Sequence, residues 1–396
     1  MAVHDGTIAR MRSTVARHLR RGFVRAVFAR PGSEGQGDEI LEGSGQAPDA
    51  AMTTDLLRRA TAAAKNGLVK HTWVLDEHTR LLVDARHGGG KLVTLDDARV
   101  DKMMGGKDRG LRPDTSGELL RTIGIMNADG TVSAKHAKKY KQITHFMELC
   151  RPVWEATTRR RTVDASHPLH VLDLGCGNGY LTFVIAEALR LAEIPAKIHG
   201  VDVRADVIER STARAVSLGW DELTFSCASI DAFGSGPAAR DAVAGALGGP
   251  PDLIVALHAC DTATDDAIAL AIELGAPSLL VAPCCQHELA DQLRPAALAA
   301  LSPAIASQGL LRQDFAATLT DAVRIDILEA MGWSVDTLEF VGDSHTPKNL
   351  LIRALLRGRP GEPDRLRGVR ERCEALGIMP RLLARLTAPK AEACAS

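Results

Sequence analysis

The sequence predicts an α/β protein with a seven-stranded, doubly wound sheet whose last strand is antiparallel, preceded by a smaller α+β domain. From residue 169 onward, apolar strand-like segments alternate with helical segments, which implies parallel strands and right-handed crossovers. The last two strand-like segments are separated by only seven residues, 342–348, so this pair has to be antiparallel. We place the domain boundaries at 1–50 (basic helix and flexible linker), 51–130 (α+β domain), 131–357 (sheet domain) and 358–396 (C-terminal helical tail).

The N-terminal part begins with a basic amphipathic helix over residues 7–28. Its apolar positions recur every three or four residues, and seven Arg lie within the first 30 residues. Such a helix could contact RNA or acidic lipid, or serve as an organelle presequence, but packing against its own protein is the favoured interpretation. A Gly/Ser/Pro-rich linker is expected over 31–49. A helix follows at 51–65, and then short strands at 68–75, 80–84 and 91–95.

The second part begins with a helix over residues 135–155, whose first turns overlap a basic segment at 132–141. Apolar segments predict seven strands, at 169–174, 198–202, 223–227, 252–257, 277–282, 334–341 and 349–356. Helices are predicted between them, at 179–192, 204–217, 264–274 and 288–331. A charged helix is expected over 362–387.

Composition limits the function classes. The chain has 396 residues with 48 Lys+Arg and 49 Asp+Glu, and the net charge of −1 excludes a wholesale polyanion binder but not a local basic patch. Two Tyr and four Trp make an aromatic platform for stacking bases improbable. No apolar run approaches the ~18 residues of a membrane helix, and no signal peptide is visible. Eight Cys are too few for a disulfide scaffold. We therefore expect a reducing, cytoplasmic location and no membrane partner.

The strongest motif is VLDLGCGNGYLTF at 171–183, where a strand ends in Asp173 and a glycine-rich turn opens a helix. Glycines allow a ligand to approach the backbone, and the helix N-terminus offers free N–H groups. Dinucleotide binders need glycine where this chain has Tyr180, so an NAD-linked oxidoreductase is disfavoured. An acidic residue ahead of the turn repels pyrophosphate but suits a ligand that carries an ammonium group.

The second motif is HGVDVR at 199–204, where Asp202 ends the next strand, 23 residues after Gly179. A carboxylate in this place accepts hydrogen bonds from the hydroxyl groups of a ribose. Together the two motifs resemble class I S-adenosylmethionine-dependent methyltransferases. The resemblance implies a Rossmann-like methyltransferase sheet and S-adenosyl-L-methionine as cofactor. It implies that Asp173 and the turn hold the methionine end, Asp202 the ribose, Val203 one adenine face, and Ile230 with Asp231 the adenine edge. The complete predicted cofactor set is Asp173, Gly175, Gly177, Gly179, Tyr180, Asp202, Val203, Ile230, Asp231 and Leu257.

Later strand ends carry unusual polar residues. LIVALHACDTATDDAI at 253–268 and SLLVAPCCQHEL at 278–289 pair a His-x-Cys-x-x-Ala-Thr-Asp motif with a Cys-Cys-x-His motif. This pairing resembles the tRNA acceptor-stem 2′-O-methyltransferases and a broader group of methyltransferase-like proteins with adjacent cysteines. KKYKQITHFMEL and SHTPKNLLIRAL resemble bacterial members of that group. The resemblance spans about 100–357. The chain lacks the further His and Cys and the N-terminal zinc-binding clusters of the tRNA enzymes, which leaves the tRNA substrate open.

The carboxyl ends of parallel strands share one edge of a sheet, so we expect these side chains to lie near the cofactor. Lys348, His258 or His287 could act as base for a hydroxyl acceptor. A cysteine among Cys260, Cys284 and Cys285 could instead attack a pyrimidine ring. The adjacent Cys284 and Cys285 could equally line the pocket or serve only in packing. The predicted catalytic residues are His258, Asp261, Cys285, His287 and Lys348, and the predicted substrate-binding residues are Lys138, Lys139, Tyr140, Gln142 and Asn349.

No metal site is predicted. A zinc site built from Cys260, Cys284, Cys285 and His287 is conceivable, but adjacent cysteines are not a standard ligand spacing. The resulting hypothesis is a cytoplasmic S-adenosylmethionine-dependent methyltransferase that acts on RNA, either tRNA or rRNA, with the ribose 2′-hydroxyl as the candidate position. The alternatives are a protein methyltransferase, an RNA cytosine-5 methyltransferase with a Cys nucleophile, and a non-catalytic S-adenosylmethionine-binding scaffold. The oligomeric state is not predicted.

Overall fold

The structure, a computed structural model, describes residues 3–32, 37–76, 78–94, 100, 110–132, 134–233, 237–257, 259–340, 350–358 and 361–387. The chain divides into two compact units, residues 1–144 and 145–396. Helix α4, Ala134–Arg160, runs across this division. No helix within the described ranges is long and apolar enough to cross a membrane.

The N-terminal unit contains a five-stranded antiparallel sheet with strand order β2-β1-β3-β4-β5. Its strands are β1 Arg25–Ala29, β2 Glu39–Glu42, β3 Lys70–Val74, β4 Thr79–Asp84 and β5 Gly90–Thr94. The last three confirm the predicted strands. The first two were missed, because β1 lies inside the predicted helix 7–28 and β2 inside the predicted linker 31–49. The helix ends early, before Gly22, which adopts a φ of 91° that favours glycine.

Two helices pack on this sheet: α1 Asp5–Leu19 and α2 Ala50–Lys65. The apolar face of α1 enters the core, which confirms the expectation that this helix packs on its own protein; its buried residues are Ile8, Met11, Val15 and Leu19. Trp73 is fully buried and meets Phe23 and Phe28 edge-on, with ring centroids 5.7 and 5.5 Å apart. A short helix, α3 Gly117–Thr122, follows.

The C-terminal unit contains the predicted seven-stranded sheet, with strand order β11-β12-β10-β9-β6-β7-β8. Its strands are β6 Leu169–Leu174, β7 Ala196–Asp202, β8 Leu223–Cys227, β9 Leu253–Ala256, β10 Ser278–Val281, β11 Trp333–Glu339 and β12 Leu350–Leu356. The first five run parallel, whereas β12 is antiparallel to both β10 and β11. The sheet therefore confirms the predicted fold class, including the reversed last strand.

The helices of this unit confirm the predicted helices 179–192, 204–217 and 264–274 and correct the rest of the prediction. They are α5 Tyr180–Leu191, α6 Ala205–Leu218, α7 Pro237–Leu247, α8 Thr262–Leu274, α9 Glu288–Gln292, α10 Pro295–Ala299, α11 Pro303–Ser307, α12 Gly309–Ala330, α13 Pro363–Ala375 and α14 Arg381–Thr387. The predicted helix 288–331 is four helices, because Pro295 and Pro303 each begin a new one. The predicted tail helix 362–387 is interrupted after Ala375 at Gly377, which has a φ of 67°. Helix α7 was missed.

The strand order positions a ligand site. The chain leaves β6 toward β7 on one side and returns to β9 on the other, so the strand order reverses between β6 and β9. A crevice forms outside the carboxyl ends of strands at such a reversal. The glycine-rich motif follows β6 directly and therefore lies at this point of the sheet.

Candidate functional site

The glycine turn after β6 has a backbone that only glycine tolerates easily. Gly175, Gly177 and Gly179 have φ values of 69°, 58° and 70°. A Cβ atom on Gly179 would lie 2.9 Å from Ser211 Oγ, and one on Gly175 would lie 3.3 Å from the backbone N of Ala259. Helix α5 begins immediately afterwards at Tyr180, so its first N–H groups face the turn. The turn thus leaves its backbone open to a ligand.

Asp173 is a buried carboxylate at the end of β6, with 3% of its surface exposed. Its Oδ2 accepts a hydrogen bond of 2.5 Å from the Thr182 hydroxyl. Burial raises the pKa of Asp173 to about 7; Thr182 opposes this rise and the nearby Asp202 carboxylate adds to it. A cationic ligand would compensate this buried acid. The sequence analysis missed Thr182, although its position in the first turn of the following helix was a usable signal.

Asp202, the last residue of β7, connects this strand to the glycine turn through a hydrogen bond. Its Oδ2 accepts from the backbone N of Gly177 at 2.8 Å, and its Oδ1 accepts from the backbone N and the Nε of Arg204 at 3.0 and 3.2 Å. A carboxylate has about four acceptor positions. The guanidinium of Arg204 lies on a largely exposed side chain, so its displacement would free a further position for ribose hydroxyls. Arg204 was missed.

The predicted adenine contacts have different surroundings. Val203 is 66% exposed, an unusual state for an apolar side chain that directly follows a strand. Ile230 is partly buried against the core, and Leu257 is 3% exposed. The Asp231 carboxylate pairs with Arg385 at 3.0 Å and Arg381 at 3.5 Å, both from α14. The C-terminal helix therefore engages the predicted adenine-edge carboxylate.

These residues fit S-adenosylmethionine. Asp173 matches a cationic end and Asp202 matches a ribose. The exposed Val203 matches an adenine ring, and the glycine turn leaves room for the chain between them. Each match rests on burial, hydrogen bonding or steric room in this structure.

Three thiols meet at the ends of β9 and β10. Cys260 Sγ lies 2.8 Å from Cys284 Sγ, which lies 3.7 Å from Cys285 Sγ. Burial and the two neighbouring thiols raise the pKa of Cys260 to about 12, and burial also raises that of Cys284. Cys260 and Cys284 therefore stay protonated near neutral pH in the absence of a cation.

Asp261, a predicted catalytic residue, has a positioning role. Its Oδ1 accepts hydrogen bonds from the backbone N of His287 at 3.0 Å and of Glu288 at 3.3 Å, and its own backbone has an unusual φ of 51°. The carboxylate thereby ties the loop after β9 to the loop after β10. Of the other predicted catalytic residues, His287 is exposed and Cys285 half-buried at the same edge, whereas His258 and Lys348 lie outside the described residues.

A buried arginine stabilises the loop that follows β9. Arg324 of α12 is 1% exposed and binds both oxygens of Asp265, at 3.0 and 2.6 Å. Its Nη2 also donates to the carbonyl of Asp261 at 2.9 Å. Sequence reasoning missed Arg324 and Asp265, because 59 residues separate them and no local motif links them.

The predicted substrate-binding residues fall into three groups. Lys138 and Lys139 are exposed on α4, and Gln142 is half-buried. Tyr140 is buried, and its hydroxyl donates to the carbonyl of Leu111 within the N-terminal unit. This contact gives the Tyr140 hydroxyl a structural partner. Asn349 lies outside the described residues.

A cavity of about 550 Å³ lies away from these strand ends, beside the amino ends of β7 and β8. Its lining includes Ala196 at the start of β7 and Leu223 at the start of β8. Ligands of doubly wound sheets bind at the opposite ends of the strands, so this cavity is not the cofactor site.

Part of the chain is similar to a described protein family. Residues 138–292 match the model of a family described as a methyltransferase domain. This match contains the glycine turn, Asp202 and the three clustered thiols. No curated protein shows significant similarity to the chain.

Several solved structures are similar to about half of the chain at low identity. A structure of WbdD with the kinase inhibitor LY294002 is 14% identical over 54% of this chain, with a TM-score of 0.33; the match covers 40% of the WbdD chain. An rRNA methylase from Streptococcus thermophilus is 12% identical over 54% of this chain and 96% of its own, with a TM-score of 0.32. An Aquifex aeolicus SAM-dependent methyltransferase is 14% identical over 52% of this chain and 89% of its own, with a TM-score of 0.28.

Proposed function

We propose that the chain is an S-adenosylmethionine-dependent methyltransferase and that its acceptor is RNA, tRNA or rRNA, held mainly through its phosphate backbone. The ribose 2′-hydroxyl is the proposed methylation position. The observation that carries this proposal is an unpaired basic face on the N-terminal unit.

That face belongs to α1 and the turn after it. Arg10, Arg17, Arg20 and Arg21 are exposed, and among the described residues none of them forms an ion pair with a carboxylate. Elsewhere in the same unit, Arg58 and Arg59 both pair with Asp55. Burial and the positive charges of Arg21 and Arg17 lower the pKa of His18, consistent with a concentrated positive field. Unpaired guanidinium groups are the preferred partners of phosphate.

Lysines near the start of α4 provide further positive charge. Lys138, Lys139 and Lys141 are exposed, and the helix continues into the C-terminal unit, where residues 145–160 belong to the methyltransferase part. Phosphate contacts position a nucleic acid without reading its sequence. The scarcity of aromatic residues fits this mode of binding better than base stacking.

Methyl transfer from S-adenosylmethionine requires few catalytic groups from the protein. When bound, S-adenosylmethionine supplies the methyl group on a sulfonium, which is already a strong electrophile. The protein has to align the acceptor and take up its proton. Among the described residues, the His287 imidazole is the candidate base, because it is exposed and its backbone is fixed by Asp261. His258 and Lys348 remain predicted candidates for the same role.

A cysteine nucleophile is less favoured. The attacking species would be a thiolate, and the raised pKa values of Cys260 and Cys284 disfavour it. Methylation of a pyrimidine carbon through a covalent adduct is therefore the weaker alternative. Protein as the acceptor and a non-catalytic scaffold are outcomes that the first experiment below distinguishes.

The acceptor is tested with radiolabelled S-adenosylmethionine and separate RNA and protein fractions from the source cells. We expect label in RNA, released by nuclease and recovered in dinucleotides that resist alkali, since a 2′-O-methyl group blocks alkaline cleavage. Label found only in protein would refute the RNA proposal, and label in neither fraction would favour the scaffold. The Asp202→Ala variant serves as the inactive control.

The basic face is tested by the salt dependence of RNA binding. Replacing Arg10, Arg17 and Arg21 together with Ala should weaken binding to bulk tRNA and reduce the slope of log K against log[salt] by about two to three, because each lost phosphate contact removes roughly 0.7–0.9 from it. The matched control, Arg58→Ala with Arg59→Ala, removes exposed but paired arginines from the same unit.

That control should leave the slope unchanged. Fluorescence anisotropy at several salt concentrations gives both slopes, and thermal melts verify folding. Equal slopes for the triple variant and the wild type would show that α1 does not contact the RNA backbone.

A further inference from the structure

Cys260, Cys284 and Cys285 form a compact thiol cluster. Their three Sγ atoms all lie within 4.8 Å of one another. Cys260 follows β9 and the other two follow β10, which pairs with β9 in parallel register. Cys260 and Cys284 are exposed and Cys285 is half-buried, so a small ion can reach the sulfur atoms from solvent.

Buried polar groups fix the two loops that carry these thiols. The Asp261 carboxylate accepts from the backbone of residues 287 and 288, directly after the cysteine pair. The Gln286 side chain, 2% exposed, donates to both oxygens of Asp321 at 3.0 and 2.9 Å. Arg324 donates to the carbonyl of Asp261. The thiols therefore project from a preorganised frame, as the ligands of a metal site do.

We propose that Cys260, Cys284 and Cys285 together bind a thiophilic divalent cation of the Zn²⁺ type. Tetrahedral zinc with Zn–S bonds of about 2.3 Å separates its sulfur ligands by about 3.8 Å. Cys284 and Cys285 already lie 3.7 Å apart. Cys260 and Cys284 are 2.8 Å apart and have to separate by about 1 Å, which rotation of exposed side chains allows.

Within the described part of the chain, the cluster leaves one position of a tetrahedral ion to a ligand from outside. The described residues supply three thiols to it, and the imidazole of His287 is not part of the group. Zinc with three protein ligands and one open position is typical of catalytic rather than structural sites. Ala259, the neighbour of Cys260, lies against Gly175 of the glycine turn. The ion therefore binds near the glycine turn, at the carboxyl ends of β9 and β10.

The test is a Co²⁺ titration of the full-length chain, reduced and freed of metal with a chelator. We expect one equivalent of Co²⁺ to produce thiolate-to-cobalt charge-transfer bands and the intense visible bands of tetrahedral cobalt, both removed by one equivalent of Zn²⁺. Cys260→Ser, Cys284→Ser and Cys285→Ser should each weaken binding at least tenfold. Cys227→Ser is the matched control, since Cys227 is also exposed at a strand end but lies outside the cluster.

A second measurement needs no substitution and therefore does not depend on the folding of a variant. In native wild-type protein, Zn²⁺ should protect three thiols from Ellman's reagent, and added chelator should expose them again. The proposal is wrong if reduced protein shows neither cobalt bands nor thiol protection. It is also wrong if Cys260→Ser and Cys284→Ser bind Co²⁺ as the wild type does, or if a Cys260–Cys284 disulfide persists in reductant. Neither readout requires methyl transfer, so the outcome is independent of the proposed acceptor.

Discussion

At the residue scale, the two carboxylates of the proposed cofactor site have different roles. Asp202 accepts one hydrogen bond from the glycine turn, which joins that turn to β7, and two from Arg204. Asp173 is more deeply buried, accepts from Thr182, and has a pKa raised to about 7 by burial and by Asp202. Asp173 is therefore only partly ionised near neutral pH, and a cationic ligand shifts it toward the ionised form.

This difference predicts a pH dependence of cofactor binding. The cation favours ionised Asp173, so affinity for S-adenosylmethionine should fall about tenfold for each pH unit below 7. Calorimetry between pH 5.5 and 7 measures this slope. Asp173→Asn should bind weakly with a flattened slope, and an affinity of the wild type that does not change over this range would contradict the role given to Asp173.

The same shift has a consequence for stability without ligand. The folded-state pKa of Asp173 lies above its ordinary value of 3.8, so its contribution to stability is present at low pH and is lost as pH rises through about 7. Asp173→Asn should therefore raise the melting temperature at pH 8 relative to the wild type and change it little near pH 3.5.

Gly179 provides a steric test of the turn. Ala at this position combines a φ of 70° with a Cβ atom 2.9 Å from Ser211 Oγ. We expect Gly179→Ala to destabilise the fold by roughly 1–3 kcal/mol and to weaken cofactor binding. Gly219→Ala is the control, because its φ of 65° is similar but no atom lies within 4 Å of the added Cβ.

Gly219→Ala should cost roughly 1 kcal/mol or less and leave cofactor affinity unchanged. Urea unfolding and calorimetry give both quantities. Equal effects of the two substitutions would mean that the turn is not a close-approach site.

At the element scale, the loop frame beneath the thiols depends on the contact of α12 with the start of α8. Arg324 and Asp265 are 1% and 2% exposed and form a two-bonded ion pair. Arg324→Ala should lower the free energy of unfolding by about 3–5 kcal/mol, because it leaves a buried carboxylate without its partner.

The control for this prediction is Arg210→Ala, which removes a pair on α6 whose two side chains are mostly exposed. That change should cost at most about 1 kcal/mol. Denaturant unfolding compares the two variants. A loss at Arg324 no larger than that at Arg210 would show that the loop frame does not depend on the buried pair.

The elements that the sequence predicted best are those with strong local signals. All seven strands of the large sheet were found, because each is a short apolar run next to a turn or a helix. Strand β1 was assigned to a helix because Phe23 and Val27 continue the helical spacing of α1. The sequence predicts one helix over 288–331 because its composition is otherwise helical, whereas Pro295 and Pro303 each begin a separate helix.

Site residues that lie in short sequence motifs were predicted, whereas a contact between distant positions was not. Asp173, the glycines and Asp202 were accessible from the sequence, since the turn and the strand ends lie within two short motifs. The contact of Arg324 with Asp265 was not, because it joins positions 59 residues apart. For the cysteines, the sequence indicated a shared sheet edge, but only the structure gives the spacing of 2.8 and 3.7 Å.

At the scale of the whole molecule, the net charge of −1 conceals an uneven distribution. Arginines of the C-terminal unit pair widely with carboxylates, as Arg381 and Arg385 do with Asp231 and Asp266. The arginines of α1 stay unpaired among the described residues. A nearly neutral protein can thus hold a basic face on one unit and an acid-rich cofactor site on the other.

The most direct measurement is calorimetric titration of the full chain with S-adenosylmethionine at pH 7.5, for the wild type, Asp202→Ala and the control Asp206→Ala. Asp206 lies four residues further on, at the start of α6, is exposed and, among the described residues, forms its ion pair with Arg210 alone. The wild type and Asp206→Ala should bind one equivalent with similar affinity, whereas Asp202→Ala should lose at least tenfold. No binding by the wild type, or unchanged binding by Asp202→Ala, would contradict the assigned cofactor site.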